Sequence, residues 1–151
     1  MTTHREGFFQ RYARQQLFLD GATRYAYQFR PMIARHPKKE DIRLEDVLVA
    51  LGNPIRLAAV RTIAIGGEHP CCDVLPQIPK STMTHHWRAL RDSGVVWQRH
   101  IGREYRLELR REDLDSRFPG LIDAVLKPLV NDPLTLATIA EYDPNRQEIP
   151  A

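Results

Sequence analysis

The sequence predicts a mainly α-helical fold with a two-stranded β ribbon, arranged as a winged helix-turn-helix, and three observations carry that prediction. Apolar residues recur at helical spacing from Leu44 onward. A short helical segment and a longer one stand in tandem across a tight turn before Gly94. The period then switches from 3.6 to 2 on either side of Gly102.

Size permits this fold. The chain has 151 residues and a hydrophobic fraction of 42%, enough to bury one core without disulfides or metals. No apolar run approaches the roughly 18 residues of a membrane span. The opening "MTTHREGFFQRYARQQ" is interrupted by charges and has no apolar stretch of the signal-peptide kind. Cys71 and Cys72 are adjacent and staple nothing, so a reducing, cytoplasmic setting is expected rather than a secreted scaffold.

Taken in order, residues 1–41 read as a basic and aromatic arm. Phe8, Tyr12, Gln15 and Leu19 could form a helical stripe, but Gly21, Pro31 and Pro37 interrupt any long element. Met32 begins a stretch that also reads as an N-terminus, which would make the first 31 residues a dispensable upstream extension. The domain proper is placed at 42–130. In it Leu44, Val47, Leu48 and Leu51 share a helical face. "NPIRLAAVRTIAIGG" follows, with Asn53 as N-cap, Pro54 in the first turn, Gly66 as the stop, and Leu57, Val60 and Ala64 as its buried side. "CCDVLPQI" is taken as the short helix, and "STMTHHWRALRDSG" as the longer one, ended by Gly94. In the ribbon, Tyr105, Leu107 and Leu109 alternate with Arg106, Glu108 and Arg110, with the reversal at Gly102. Leu121, Ile122, Val125, Leu126 and Leu129 give a last helix an apolar face wider than a small core needs. Residues 131–151 supply a further helical turn or two and a tail.

The formal net charge of +3 conceals an asymmetry. Residues 80–111 hold eight Lys/Arg against three Asp/Glu, and residues 112–151 hold three against eight. A helix-turn-helix accounts for the basic block, because its second helix enters the DNA major groove with its N-terminal residues foremost. In "STMTHHWRALRDSG", Met83, Trp87 and Leu90 fall on one side and are expected in the core. Lys80, Ser81, Thr82, Thr84, His85 and Arg88 are expected at the groove, and Arg99, Arg103 and Arg106 on the ribbon along the backbone or in the minor groove.

The adjacent histidines invite a metal or catalytic reading. Helical metal ligands stand at i, i+3 or i+4, and neither His85 nor His86 has a Cys, Asp or Glu there; Asp92 is six residues from His86. No nucleophile, paired acid or oxyanion donor accompanies them, so no enzymatic activity and no cofactor are expected. Neighbouring helical residues diverge by about 100°, so His85 is expected to face DNA and His86 to pack or hydrogen-bond inward.

Together "LGNPIRLAAVRTI", "CDVL", "KSTMTHHWRALRDSGVV" and "RHIGREYRLEL" resemble the ArsR family of bacterial winged-helix transcription regulators over about Ile42 to Leu129. The resemblance implies a homodimer joined through its first and last helices. It also implies a repressor that binds double-stranded operator DNA and is released by an inducer. It does not extend to the family's usual metal sites. Where metal-sensing members carry Cys-x-Cys, this chain has Pro70 and Cys72, and no histidine follows His100. Cys71 and Cys72 are therefore open to several uses: core packing, a reactive sensor thiol at a helix N-terminus, a strained vicinal disulfide, or a thiolate site with His69. An organic inducer held between dimer helices is a further alternative. A winged helix used for protein interaction, with the acidic C-terminal part docking a partner, is the competing reading of the whole chain.

Overall fold

A computed structural model of the protein describes residues 36–145. The readings of residues 1–35 as an arm, of Met32 as a start, and of the tail beyond 145 lie outside the described residues. The architecture is mostly helical with a small three-stranded antiparallel sheet, consistent with a winged helix.

Helix α1 (Leu44–Leu51) begins with Glu45 and Asp46, whose charges suit the positive end of the helix dipole. Val47, Ala50 and Leu51 turn inward, whereas Leu44, Leu48 and Val49 stay exposed. Helix α2 (Pro54–Ala64) starts as its sequence dictates: the Asn53 side chain accepts from Arg56 N at 3.2 Å, and Pro54 fills the first turn, where no N–H is needed. Arg56 then reaches back, donating to Ala50 O and, at 3.0 Å, to Val49 O, so that it satisfies the terminal carbonyls of α1. The buried side of α2 is Ala58, Ala59, Val60, Thr62 and Ile63. Leu57 and Ala64 lie at its margin rather than at its centre, because α6 and the sheet pack further round the helix than the expected stripe allowed.

The ribbon gains a third strand, β1 (His69–Pro70), which pairs antiparallel with β3 in the order β1-β3-β2. The short helix is absent: Cys71–Asp73 form one 3-10 turn and the chain then winds irregularly to Pro79. Pro76 and Pro79 explain this. Each removes an N–H and disfavours helical backbone in the residue before it. Leu75, ahead of Pro76, adopts φ +54. Val74, Leu75 and Ile78 are nevertheless buried and do the packing a helix would have done.

Helix α3 (Lys80–Asp92) buries Met83, Trp87 and Leu90 as its phase requires, each worth about 1.5–3 kcal/mol. Its end is a Schellman motif, with Gly94 N donating to Arg91 O at 3.0 Å and Val95 N to Leu90 O at 2.9 Å. Gly94 has φ +80, and a Cβ there would lie 2.7 Å from Ile42 Cγ1 and 3.2 Å from Pro37 Cγ. Strands β2 (Val96–Ile101) and β3 (Glu104–Leu109) follow, joined by Gly102 and Arg103. Gly102 alone of the two has positive φ, +63, the pattern of a II′ hairpin.

Beyond β3 the chain forms α4 (Arg111–Arg117), α5 (Leu121–Leu129) and α6 (Pro133–Tyr142). The first was not foreseen. In α5, Ile122 and Leu129 are buried, while Leu121, Val125 and Leu126 are only half-buried. Asp132 caps α6, accepting from Thr135 N at 2.8 Å and Thr135 Oγ1 at 2.7 Å, and the far end of α6 returns to the turn before α3, where Tyr142 O accepts from Gln77 N at 3.0 Å.

Between β3 and α4 sits Arg110, 2% exposed. Its guanidinium lies 3.8 Å from the centre of the Trp97 ring, pairs with Asp113 at 2.8 Å and donates to Pro37 O at 2.9 Å. His36 packs against the same Trp97, with ring centres 4.8 Å apart, and its Nε2 accepts from Gln98 N at 2.8 Å.

Two outcomes are expected from these contacts. Gly94→Ala adds both a left-handed backbone penalty and a clash, and is expected to cost about 2–4 kcal/mol in denaturant unfolding; a neutral effect would show that this turn is not held as described. His36 gives a pH dependence. Its accepting nitrogen is unprotonated, and burial, then Arg110, Arg91 and Arg99, hold its pKa below the ordinary 6.5, with Asp92 opposing. A depressed histidine value means that the unfolded chain takes the proton more readily. Its contribution to stability is therefore present above pH 6.5 and lost as pH falls below it. Unfolding curves at acidic and neutral pH should show a smaller pH dependence for His36→Gln than for the native chain; an unchanged dependence would contradict the assignment.

Candidate nucleic-acid interface

The exposed side of α3 is built by the same phase that buries Met83, Trp87 and Leu90. Lys80, Ser81, Thr82, Thr84, His85 and Arg88 are all exposed. Pro79 precedes the helix and supplies no side-chain cap, so its first-turn amides are not met by the capping residue. Thr84 Oγ1 donates to Lys80 O at 2.8 Å, which leaves its methyl group and a lone pair for an outside partner. His86 is half-buried. Burial foremost, then Arg56 and His85, lowers its pKa, and its Nδ1 has no hydrogen-bond partner among the described residues. The two histidines thus differ as their helical spacing requires.

The ribbon carries less free positive charge than its sequence suggests. Arg99 pairs with Glu108 at 2.9 Å. Arg106 stands between Glu68 at 3.9 Å and Glu104 at 3.8 Å. Arg103, at the exposed tip, makes no ion pair among the described residues. Of the cations in the basic block, Arg91, Arg110 and Arg111 are paired as well. Lys80, Arg88 and Arg103 remain available, two on α3 and one on the hairpin.

Cys71 and Cys72 are free thiols. Cys71 is half-buried beneath β2, where burial pushes its pKa up to about 11. Its Sγ accepts a weak hydrogen bond from Gln98 Nε2 at 3.8 Å. Cys72 is exposed, and its Sγ–H donates to Asp73 Oδ1 at 3.3 Å, which together with the neighbouring carboxylate charge raises its pKa. The three-residue turn supplies no helix dipole to favour a thiolate. Neither environment favours the thiolate. No group of three or more His, Cys, Asp or Glu side chains among the described residues could hold a metal ion, and no single described helix is long and apolar enough to cross a membrane.

Sequence reasoning missed Gln98. Its Oε1 accepts from Arg91 Nη1 at 3.1 Å, its Nε2 contacts Cys71, and its backbone N–H meets His36. It thereby joins α3 to the base of the hairpin. Only its position on the inward face of an alternating strand could have signalled this.

No family model matches the chain. It is 27% identical over 82 residues to YceK of Bacillus subtilis (strain 168), an uncharacterized HTH-type transcriptional regulator; the match covers 52% of this chain and 82% of that protein. With the exposed basic helix and hairpin, this similarity supports a DNA-binding helix-turn-helix regulator.

Proposed function

We propose that the chain is a sequence-specific DNA-binding transcriptional regulator without enzymatic activity, acting in the cytoplasm as a homodimeric repressor of the ArsR kind that an inducer releases from its operator. The observation that carries the reading is a set of exposed cations without an ion pair among the described residues, Lys80 and Arg88 on the exposed face of α3 and Arg103 at the hairpin tip. Uncompensated cations on one helix and one hairpin suit phosphates, while Thr82, Thr84 and His85 between them suit base edges. Ser81 and the open amides of the first turn add a seat for a phosphate. Arg99 and Arg106 would reach DNA by exchanging carboxylate partners for phosphate. The exposed Leu44, Leu48 and Val49 of α1 and the half-buried Leu121, Val125 and Leu126 of α5 suit the dimer contact through first and last helices that the ArsR resemblance implies. The inducer is left open. Raised thiol pKa values speak for slow modification of Cys71 and Cys72, Cys72 first, rather than for a fast thiolate sensor.

The neutralised charges of Arg99 and Arg106 favour a second reading, a winged helix that binds a protein. Binding of the full chain to its own upstream region and to random duplex DNA, across a salt series, separates the two. A salt-sensitive preference for the upstream region is expected. Arg103→Ala should flatten the log–log salt slope by about one unit per protomer. Thr84→Ala or His85→Ala should cost roughly 1–3 kcal/mol on the specific site and little on random DNA. Equal weakening on both DNAs would overturn this division of roles, and absence of any DNA binding would favour the protein-interaction module.

A further inference from the structure

The hairpin ends in exposed apolar surface that the fold does not use. Tyr105 is 53% exposed on one face of the hairpin, and Ile101, 47% exposed, lies beside Glu104 on the other. His100 and Tyr105 are direct cross-strand partners, with ring centres 4.8 Å apart and planes at 65°. Alternation puts this pair on the face that, nearer the core, carries Gln98 and buried Leu107. That is the face whose Gln98 receives the hydrogen bond from Arg91 of α3. The opposite face carries Arg99, Arg106, Glu104 and Glu108, whose charges compensate one another. Among the described residues the hairpin therefore has one face of mutually compensating charges that ends in Ile101 and one exposed aromatic face on the side of α3, with Arg103, which makes no ion pair there, between them at the tip.

We propose that the His100–Tyr105 pair is a DNA-contact surface, packing its rings against the sugar and base edges of the groove beside the one that α3 enters, so that the wing adds a salt-insensitive contact to the phosphate contacts of its arginines. The inference rests on the DNA-binding reading above. DNA is the occupant favoured by charge, because the aromatic face adjoins Arg103 and continues the side of the sheet that meets α3, where Lys80 and Arg88 make no ion pair among the described residues. The edge-on ring pair also holds Tyr105 in place at little entropic cost, which suits a wet, partly polar contact.

The test is the salt series again, with the full chain on its upstream region, comparing Tyr105→Ala, Tyr105→Phe, His100→Ala and Arg103→Ala. Circular dichroism confirms that each variant is folded. Tyr105→Ala should weaken binding roughly tenfold, about what one lost stacking contact is worth, at every salt concentration and with an unchanged slope. Tyr105→Phe should bind like the native chain, and His100→Ala should weaken binding in the same salt-independent way. Arg103→Ala should instead lower the slope by about one per protomer. Unchanged affinity for Tyr105→Ala, or a lowered slope, would overturn the proposal while native binding leaves the DNA reading standing. No DNA binding by the native chain would overturn both and would assign the aromatic face to a protein partner.

Discussion

The guanidinium of Arg110, buried against Trp97, is the contact on which the arrangement of the domain turns. A buried cation is costly unless every donor is met. Here Nε and Nη2 meet Asp113, Nη1 meets Pro37 O, and the flat face rests on the indole ring. These contacts come from three places far apart in the chain: the segment entering the domain, the root of β2, and the first turn of α4. The backbone of Arg110 adds a fourth, since its N–H donates to Val95 O at 3.0 Å. One residue thus fixes where the hairpin leaves the core and where the C-terminal helices begin.

The consequence for the interface is geometric. Gly94, Ile42 and Pro37 meet at the end of α3, within the same junction. Gln98 then links Arg91 near the end of α3 to β2, and His36 holds the outer side of that strand. Helix and hairpin are therefore presented as one rigid unit rather than as two loosely tethered parts. Within α3 and the hairpin, Lys80, Arg88 and Arg103 are the cations without an ion pair among the described residues, and an exposed charge left uncompensated is available to steer an anionic partner.

How much of this was legible in the sequence depended on whether the signal was local. Asn53–Pro54, Gly94 and Gly102 announce a helix start, a helix end and a hairpin by their own backbone requirements, and each is found where it was expected. The buried face of α3 was legible because thirteen residues give its period room to repeat. The missing short helix was signalled by Pro76 and Pro79, but the tandem-helix pattern outweighed them. Strand β1 has two residues and no alternation to read, so only its pairing with β3 defines it. Helix α4 hides in the charged run "REDLDSR", which continues the polar positions of the strand before it. Within the site, the exposed face of α3 followed from phase alone. The ribbon did not, because a sequence counts charges without pairing them: Arg110 adds to the basic block yet is the most deeply buried cation of that block, and Arg99 and Arg106 sit against glutamates. His36 gave no local sign of its place beside Trp97.

The central claim is that the exposed face of α3 and the hairpin tip together meet DNA. Titrating the isotope-labelled full chain with a duplex from its own upstream region, and following backbone amide resonances, tests it most directly. The account predicts shifts concentrated in Lys80–Arg88 and around Gly102 and Arg103, with the amides of α2 and the far end of α6 nearly still. Shifts confined to the exposed side of α1 and α6, or no shifts at DNA concentrations well above those of operator binding, would contradict it.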